Sequence, residues 1–342
     1  MLRGGSIADS QRGELKFVAT INARSVTIVR NLKLVRYRHL EFIVMKLLAS
    51  LVGCVFVICN IGSGTAAELE TVRLWPQEAP GETSSVGPER QLPTRPQEEP
   101  NPIIRLTDIA TPILTFYPAP EPASTGTTVI VCPGGGYNIL AYNHEGTEIC
   151  EWLNSIGVSA VLLKYRVPRR DPDAPHAIPL KDAQRAVRLV RSKAKDWKIN
   201  PDRIGMLGFS AGGHLAVMAG THFRDTTYEP IDEADKLSCR PDFLIPIYPA
   251  YLVDTKNKAQ LDPQVTVDSE TPPTFVAISY DDADRAIGAA LLLILMKQNN
   301  VPCELHVYHK GGHGYGMRPS KNPVAQWPQR CQDWMVSLGL LP

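Results

Sequence analysis

The sequence predicts an α/β fold: a mostly parallel central sheet with helices on both faces. Three observations predict it. From Ile103 onward, short β-branched runs alternate with longer segments of helical period. Of the 342 residues, 44% are apolar and 21% charged, enough to bury one large core and too apolar for disorder. The residues able to do chemistry fall just after strand runs, where the reacting groups of parallel sheets gather.

The N-terminal residues do not read as part of that fold. Met1 to His39 is basic and weakly patterned. Met45-Lys46 is followed by the apolar run Leu47 to Ile61 and then the small residues Gly62 to Ala67. A positive start, an apolar core and a small-residue end form the layout of a secretory signal peptide. The reading is therefore a leader over residues 1–67, with the true start at Met45 and export to a secreted or periplasmic location. The apolar run is shorter than the roughly 20 residues a membrane span needs, so a membrane anchor is the lesser alternative. So is lipidation at Cys54, which closes the box Leu51-Val52-Gly53-Cys54.

Cleavage after Ala67 leaves 275 residues. Nine of the 36 Lys/Arg and three of the 35 Asp/Glu lie in residues 1–67, so the remainder carries 27 basic and 32 acidic residues, a net charge of −5. That balance argues against a nucleic-acid binder held by phosphate contacts. Five cysteines remain: Cys132, Cys150, Cys239, Cys303 and Cys331. An odd number leaves at least one thiol free or one intermolecular bridge, and none sits at metal-ligand spacing. Trp75 to Pro102 is rich in Pro, Glu, Gln and Ser without an apolar period, so residues 68–104 read as an extended or loose lead-in. Residues 105–342 read as the catalytic domain.

Within that domain strands are expected at Ile113–Tyr117, Thr127–Val131, Ala160–Tyr165, Arg203–Gly208, Phe243–Tyr248, Thr274–Ser279 and Glu304–Tyr308. Helices are expected at Glu145–Ile156, Pro179–Lys195, Ala211–Ala219, Asp284–Gln298 and Gln326–Leu338. The second helix carries Ala183, Ala186, Val187, Leu189 and Val190 on one face and Lys and Arg on the other.

Four motifs fall at strand ends. Gly208-Phe209-Ser210-Ala211-Gly212 has the spacing of a nucleophile elbow. A serine there sits in a tight strand-to-helix turn, and flanking glycines remove the Cβ atoms that would collide. The plain alternative is a Gly/Ser turn into a helix. Cys132-Pro133-Gly134-Gly135-Gly136-Tyr137 offers open backbone N–H groups; Gly135 and Gly136, with Ala211, form a candidate oxyanion hole. No G-K-[ST] follows, which argues against a nucleotide loop. Gly311-Gly312-His313-Gly314-Tyr315-Gly316 places a histidine in a glycine-rich loop beyond the last strand, free to reach across the sheet top and act as base for Ser210. His309 is its nearest rival; His306 lies inside a strand, and His214 is too close in sequence to Ser210 to reach its hydroxyl. Tyr280-Asp281-Asp282-Ala283-Asp284 supplies the acid. Asp281 is the first choice, with Asp282 and Asp284 as rivals; one of the three, Asp284 foremost, is expected to cap the next helix.

Ser210, Asp281 and His313 follow the Ser…Asp…His order of α/β-hydrolases. The stretches Val131 to Tyr137, Leu163 to Pro168, Asn200 to Gly205, Gly208 to His214 and Gly311 to Gly316 resemble the secreted carbohydrate esterases of the acetylxylan esterase and bifunctional acetylxylan/feruloyl esterase types, over roughly Arg105 to Leu338. The hormone-sensitive-lipase-like branch, a more distant likeness, has a histidine before its glycines where this chain has Pro133. In such relatives an apolar residue stands three places after the acid; counted from Asp281 that place holds Asp284. The resemblance implies an α/β-hydrolase fold, Ser210 as nucleophile, Asp281 and His313 as its partners, and donors at Gly135, Gly136 and Ala211. It implies a short acyl ester or acetylated polysaccharide as substrate, with no metal or cofactor. Only about 25 residues separate Tyr248 from Thr274, too few for a large lid. Tyr137, Tyr248 and Tyr251 are candidates for stacking on sugar rings, or else for rim packing. A prolyl-oligopeptidase-like peptidase and a non-catalytic hydrolase-like binding protein are the competing classes. The first usually carries a large extra domain, which residues 68–110 have no room for, and the second commonly lacks the serine or the histidine.

Overall fold

In a computed structural model of the protein, which describes residues 68–82 and 86–342, the apolar runs gather into one eight-stranded sheet. The expected leader, with Met45, Cys54 and Cys59, lies outside the described residues. The strands in chain order are β1 (Thr71–Arg73), β2 (Arg90–Gln91), β3 (Arg105–Thr107), β4 (Ile113–Tyr117), β5 (Thr128–Cys132), β6 (Leu140–Ala141), β7 (Ser159–Lys164), β8 (Ile204–Phe209), β9 (Phe243–Ile247), β10 (Thr274–Ser279) and β11 (Cys303–Tyr308). The helices are α1 (Glu148–Ser155), α2 (Ala177–Ser192), α3 (Ala211–Thr221), α4 (Ala283–Gln298) and α5 (Trp327–Ser337).

The large sheet runs β1-β4-β7-β5-β8-β9-β10-β11. β1 and β4 are antiparallel to their neighbours, and β7 through β11 pair in parallel. β5, β8, β9 and β10 are buried along their whole length, as strands covered on both faces must be. This is why they read as continuous apolar runs rather than alternating ones. The parallel arrangement points every carboxyl end of β5, β8, β9, β10 and β11 to one rim. There the loops at residues 133–137, 210, 248–251, 280–282 and 309–316 converge.

The lead-in is not loose. β1 adds an edge strand to β4, and Leu74 and Trp75 enter the core. The Trp75 indole N–H donates to Asp182 (2.8 Å), whose carboxylate also clamps the fully buried Arg166. A buried ion pair needs every lone pair satisfied, and the indole completes this one. β2, β3 and β6 form a second, three-stranded sheet. Strands of two or three residues carry no readable period, which is why composition alone suggested an extended or loose lead-in. Residues 68–342 form one compact unit.

The expected helix at 145–156 also differs. Asn143–Thr147 is a π-turn, and regular α-helix starts only at Glu148. Among the described residues all five cysteines are free, and burial raises the Cys132, Cys150 and Cys331 thiols well above their ordinary value.

Candidate active site

Ser210 follows β8 directly with φ 52° and ψ −114°, a conformation rare for an L-residue, and α3 begins at the next residue. The flanking glycines make that turn possible. A Cβ on Gly208 would stand 2.0 Å from the Gly212 carbonyl oxygen, and one on Gly212 would stand 2.0 Å from that of Cys132. β9 holds the turn from outside: the Ser210 N–H donates to Ile247 O (3.1 Å), and the Ala250 N–H donates to Ser210 O (3.0 Å).

The loop after β11 brings His313 to the serine, with Ser210 Oγ 2.8 Å from His313 Nε2. On the far side of the ring, Nδ1 lies 2.7 Å from Asp282 Oδ2. The expected partner was Asp281, and the structure corrects this. Asp281 Oδ1 accepts the N–H groups of Gly311 (3.0 Å) and Gly312 (2.8 Å) and the Ser279 hydroxyl. These bonds turn its carboxylate toward the backbone of the histidine loop and hold it below the usual carboxylate range. Asp282, one residue on, takes the opposite orientation: its side chain is 2% exposed and faces the imidazole. Its other oxygen, Oδ1, accepts from Arg285 Nη1 (3.0 Å). Asp282 occupies the N-cap position of α4 but makes no side-chain cap, and Asp284 in the first turn pairs with Lys258. The expected capping role therefore falls to neither side chain. Three places after Asp282 stands Arg285, where the resemblance leads one to expect an apolar residue.

Beside Ser210 lies the glycine loop. The Gly134 N–H is taken by Glu145 Oε2 (2.8 Å), while the N–H groups of Gly135, Gly136 and Ala211 have no acceptor among the described residues. Gly135 and Gly136 adopt φ 138° and 63°. Ser210, His313, Gly135 and Gly136 open into a cavity of about 1010 Å³. Its lining includes Tyr251 to Thr255, Leu92, Arg95 and Glu98 of the lead-in, and Arg105 of β3.

Of the three tyrosines, only Tyr251 is exposed, and it lines the cavity while stacking on Tyr137 (5.8 Å, 23°). Tyr137 and Tyr248 are fully buried and belong to the packing beneath the site. His214 is likewise buried, bonded through Nδ1 to the Tyr137 hydroxyl (2.9 Å); burial and the neighbouring His176 lower its pKa to about 3. His306 bonds to Glu304, and His309 is exposed, so neither competes with His313. Glu145 and Arg285 adjoin the site without having been singled out for it; a π-turn and a helix start gave no motif to find them by. Tyr248, singled out for sugar stacking or rim packing, is instead bonded beneath the site to Glu145.

A serine in a strained strand-to-helix turn, in hydrogen-bond reach of a histidine backed by a carboxylate, on the carboxyl rim of a mostly parallel sheet, defines the α/β-hydrolase class. Comparison with known proteins narrows it. Residues 114–246 match the protein family BD-FAE. The crystal structure of an acetyl ester-xyloside bifunctional hydrolase from Caldicellulosiruptor lactoaceticus is 33% identical, with a TM-score of 0.62, and the match covers 80% of this chain and 97% of that one. An acetylxylan esterase of Xylanibacter ruminicola is 31% identical over 238 residues, 63% of this chain and 46% of that protein. Endo-1,4-beta-xylanase B of Butyrivibrio fibrisolvens is 28% identical over 204 residues, 54% of this chain and 32% of that protein. The chain spans less than half the length of these curated relatives. It belongs to the α/β-hydrolase esterases related to the acetylxylan and bifunctional acetylxylan-feruloyl esterases. Among the described residues no helix is long and apolar enough to cross a membrane.

Proposed function

We propose that this chain is a secreted serine carboxylesterase that removes short acyl groups, acetyl foremost, from a carbohydrate such as xylan through an acyl-Ser210 intermediate. The observation that carries the reading is the continuous relay Ser210 Oγ–His313 Nε2, His313 Nδ1–Asp282 Oδ2, opening on a cavity. His313 accepts the Ser210 proton as Oγ attacks the ester carbonyl. Asp282 fixes the tautomer in which Nδ1 carries hydrogen and stabilises the imidazolium that forms. The developing oxyanion is met by the N–H groups of Gly135, Gly136 and Ala211, which are free to donate. The imidazolium then gives its proton to the departing sugar oxygen as the C–O bond breaks, so that the sugar leaves as a free hydroxyl. Water, activated by the same histidine, releases the acid and restores Ser210.

The cavity supports a carbohydrate leaving group. Its lining mixes Leu92, Ile139 and Leu252 with Arg95, Glu98, Asp254 and Lys258 and exposes the Tyr251 ring. Such a wall offers both apolar area and hydrogen bonds to a polyhydroxylated ring. Arg105 and Lys258 are paired with Glu98 and Asp284, so the wall presents no concentrated charge to an uncharged sugar.

The test is a panel on the mature protein: p-nitrophenyl acetate, acetylated xylan, feruloylated xylan and a proline-containing aminoacyl anilide. Release of acetate from xylan, abolished in Ser210→Ala, is the expected result. Cleavage of the anilide alone would make the protein a peptidase, and no turnover of any substrate would make it a binding protein.

A further inference from the structure

Glu145 is a buried carboxylate, 4% exposed, to which the described residues give no ion-pair partner. A charge in such a place costs the fold dearly unless its hydrogen bonds are complete. Both its oxygens are used, and each reaches a different wall of the site. Oε2 accepts the N–H of Gly134, at the base of the glycine loop (2.8 Å). Oε1 accepts the hydroxyl of Tyr248, at the end of β9 (2.7 Å). The Tyr248 oxygen in turn accepts the N–H of Gly316, in the loop that carries His313 (3.0 Å). The Tyr248 ring also lies edge-on against His313 (5.1 Å, 65°) and Tyr315 (4.3 Å, 76°).

The π-turn Asn143–Thr147 gives this carboxylate its aim, since an inserted residue re-directs side chains that a regular helix would carry past. The same turn supplies His144, whose Nε2 donates to the Gly314 carbonyl (3.0 Å). The two neighbours thus hold the glycine loop and the histidine loop from below.

We infer that Glu145 and Tyr248 are positioning residues that lock the oxyanion loop to the histidine loop, so that donors and base reach the ester carbonyl as one unit. This rests on the esterase reading above. By taking the Gly134 N–H, Glu145 also leaves Gly135 and Gly136 as the loop's free donors. Tyr248 is fully buried, and Glu145, at the edge of the cavity, spends both oxygens on protein donors, so their effect is on the transition state, through geometry.

Two isosteric variants test the link. Glu145→Gln keeps the shape but offers one acceptor where two donors converge. Tyr248→Phe keeps the ring and removes the hydroxyl. On p-nitrophenyl acetate each is expected to lower kcat roughly 10- to 100-fold with KM within about twofold, as for groups acting only in the transition state. Both break the same chain, so the double variant should lose little more than the worse single one. Losses that multiply, or a kcat within twofold of the parent in either variant, overturn the inference. Hydrogen exchange of residues 311–317 reads the link without any activity: Glu145→Gln should speed it roughly tenfold, and unchanged protection overturns the inference. A parent enzyme that hydrolyses no ester, with exchange responding as expected, would instead count against the esterase reading alone.

Discussion

Asp282, not Asp281, presents its carboxylate to His313, at 2.7 Å, while Asp281 grips the amides of Gly311 and Gly312 in the loop that carries the same histidine. Two adjacent acids thus divide the work: one fixes the ring, the other its loop. Asp282→Asn should lower kcat on p-nitrophenyl acetate by about 10⁴, since an amide favours the wrong imidazole tautomer. Asp281→Asn keeps an acceptor for the loop amides and should lose no more than about tenfold, the worth of one hydrogen bond to a charged group. Steady-state kinetics on the two variants checks the ranking, and a larger loss in Asp281→Asn would return the assignment to the first acid.

Why the sequence put Asp281 ahead of its rival Asp282 is physical. Asp281, Asp282 and Asp284 lie within five residues of the end of β10 at Ser279, and spacing fixes only which strand they follow. The choice is made by what faces them. Ser279 pairs with Tyr308 in the β10–β11 register, which sets Asp281 against the start of the next loop and leaves Asp282 to reach the histidine. Ser210 and His313 were legible because their motifs demand glycines at fixed offsets and fall after long apolar strands. Most strand and helix bounds came within a residue or two for the same reason. Glu145 was not legible: its π-turn looks like the first turn of a helix, where an acidic residue is ordinary. The lead-in was misjudged because Trp75 acts through one long-range bond to Asp182, 107 residues away.

That misjudgement makes a prediction. Trp75 is 3% exposed and packs edge-on against Tyr228 (4.8 Å) besides bonding Asp182. Trp75→Ala should destabilise the protein by about 3–5 kcal/mol, the range for emptying an aromatic site in a core. Denaturant unfolding measures it. A loss below about 1 kcal/mol, the usual scale of a surface substitution, would mean the lead-in is an ornament on the fold.

Arg285 stands three places after Asp282, where the resemblance implies an apolar side chain, and its guanidinium holds Asp282 Oδ1 at 3.0 Å. Its contact with the acid lies on the side away from His313, so it acts on the carboxylate's orientation. Arg285→Met should cut kcat by about tenfold, from the loss of one charge-assisted bond on a 39% exposed side chain, with KM little changed. Arg285→Lys should recover part of that loss. Equal kinetics in all three proteins would show that the bond to His313 alone suffices to hold Asp282.

His214 ties the site to the pH dependence of the fold. It sits buried in α3, the helix that follows Ser210, and burial together with His176 lowers its pKa to about 3 from the ordinary 6.5. The sign follows from which state binds the proton. Below about pH 6.5 the unfolded chain takes up a proton at this imidazole and the folded protein does not, so the unfolded state gains stability as pH falls. His214 therefore costs nothing at neutral pH and destabilises the fold by up to about 1.4 kcal/mol per unit between pH 6.5 and 3. His214→Asn keeps an acceptor near the position of Nδ1 for the Tyr137 hydroxyl and removes the titrating ring. Urea unfolding of both proteins at pH 7 and pH 5 should show a smaller stability loss on acidification in the variant, by about 1–2 kcal/mol. An identical loss in the two proteins would mean that the folded state protonates this ring as readily as the unfolded chain does, and the acid sensitivity would then belong to other groups.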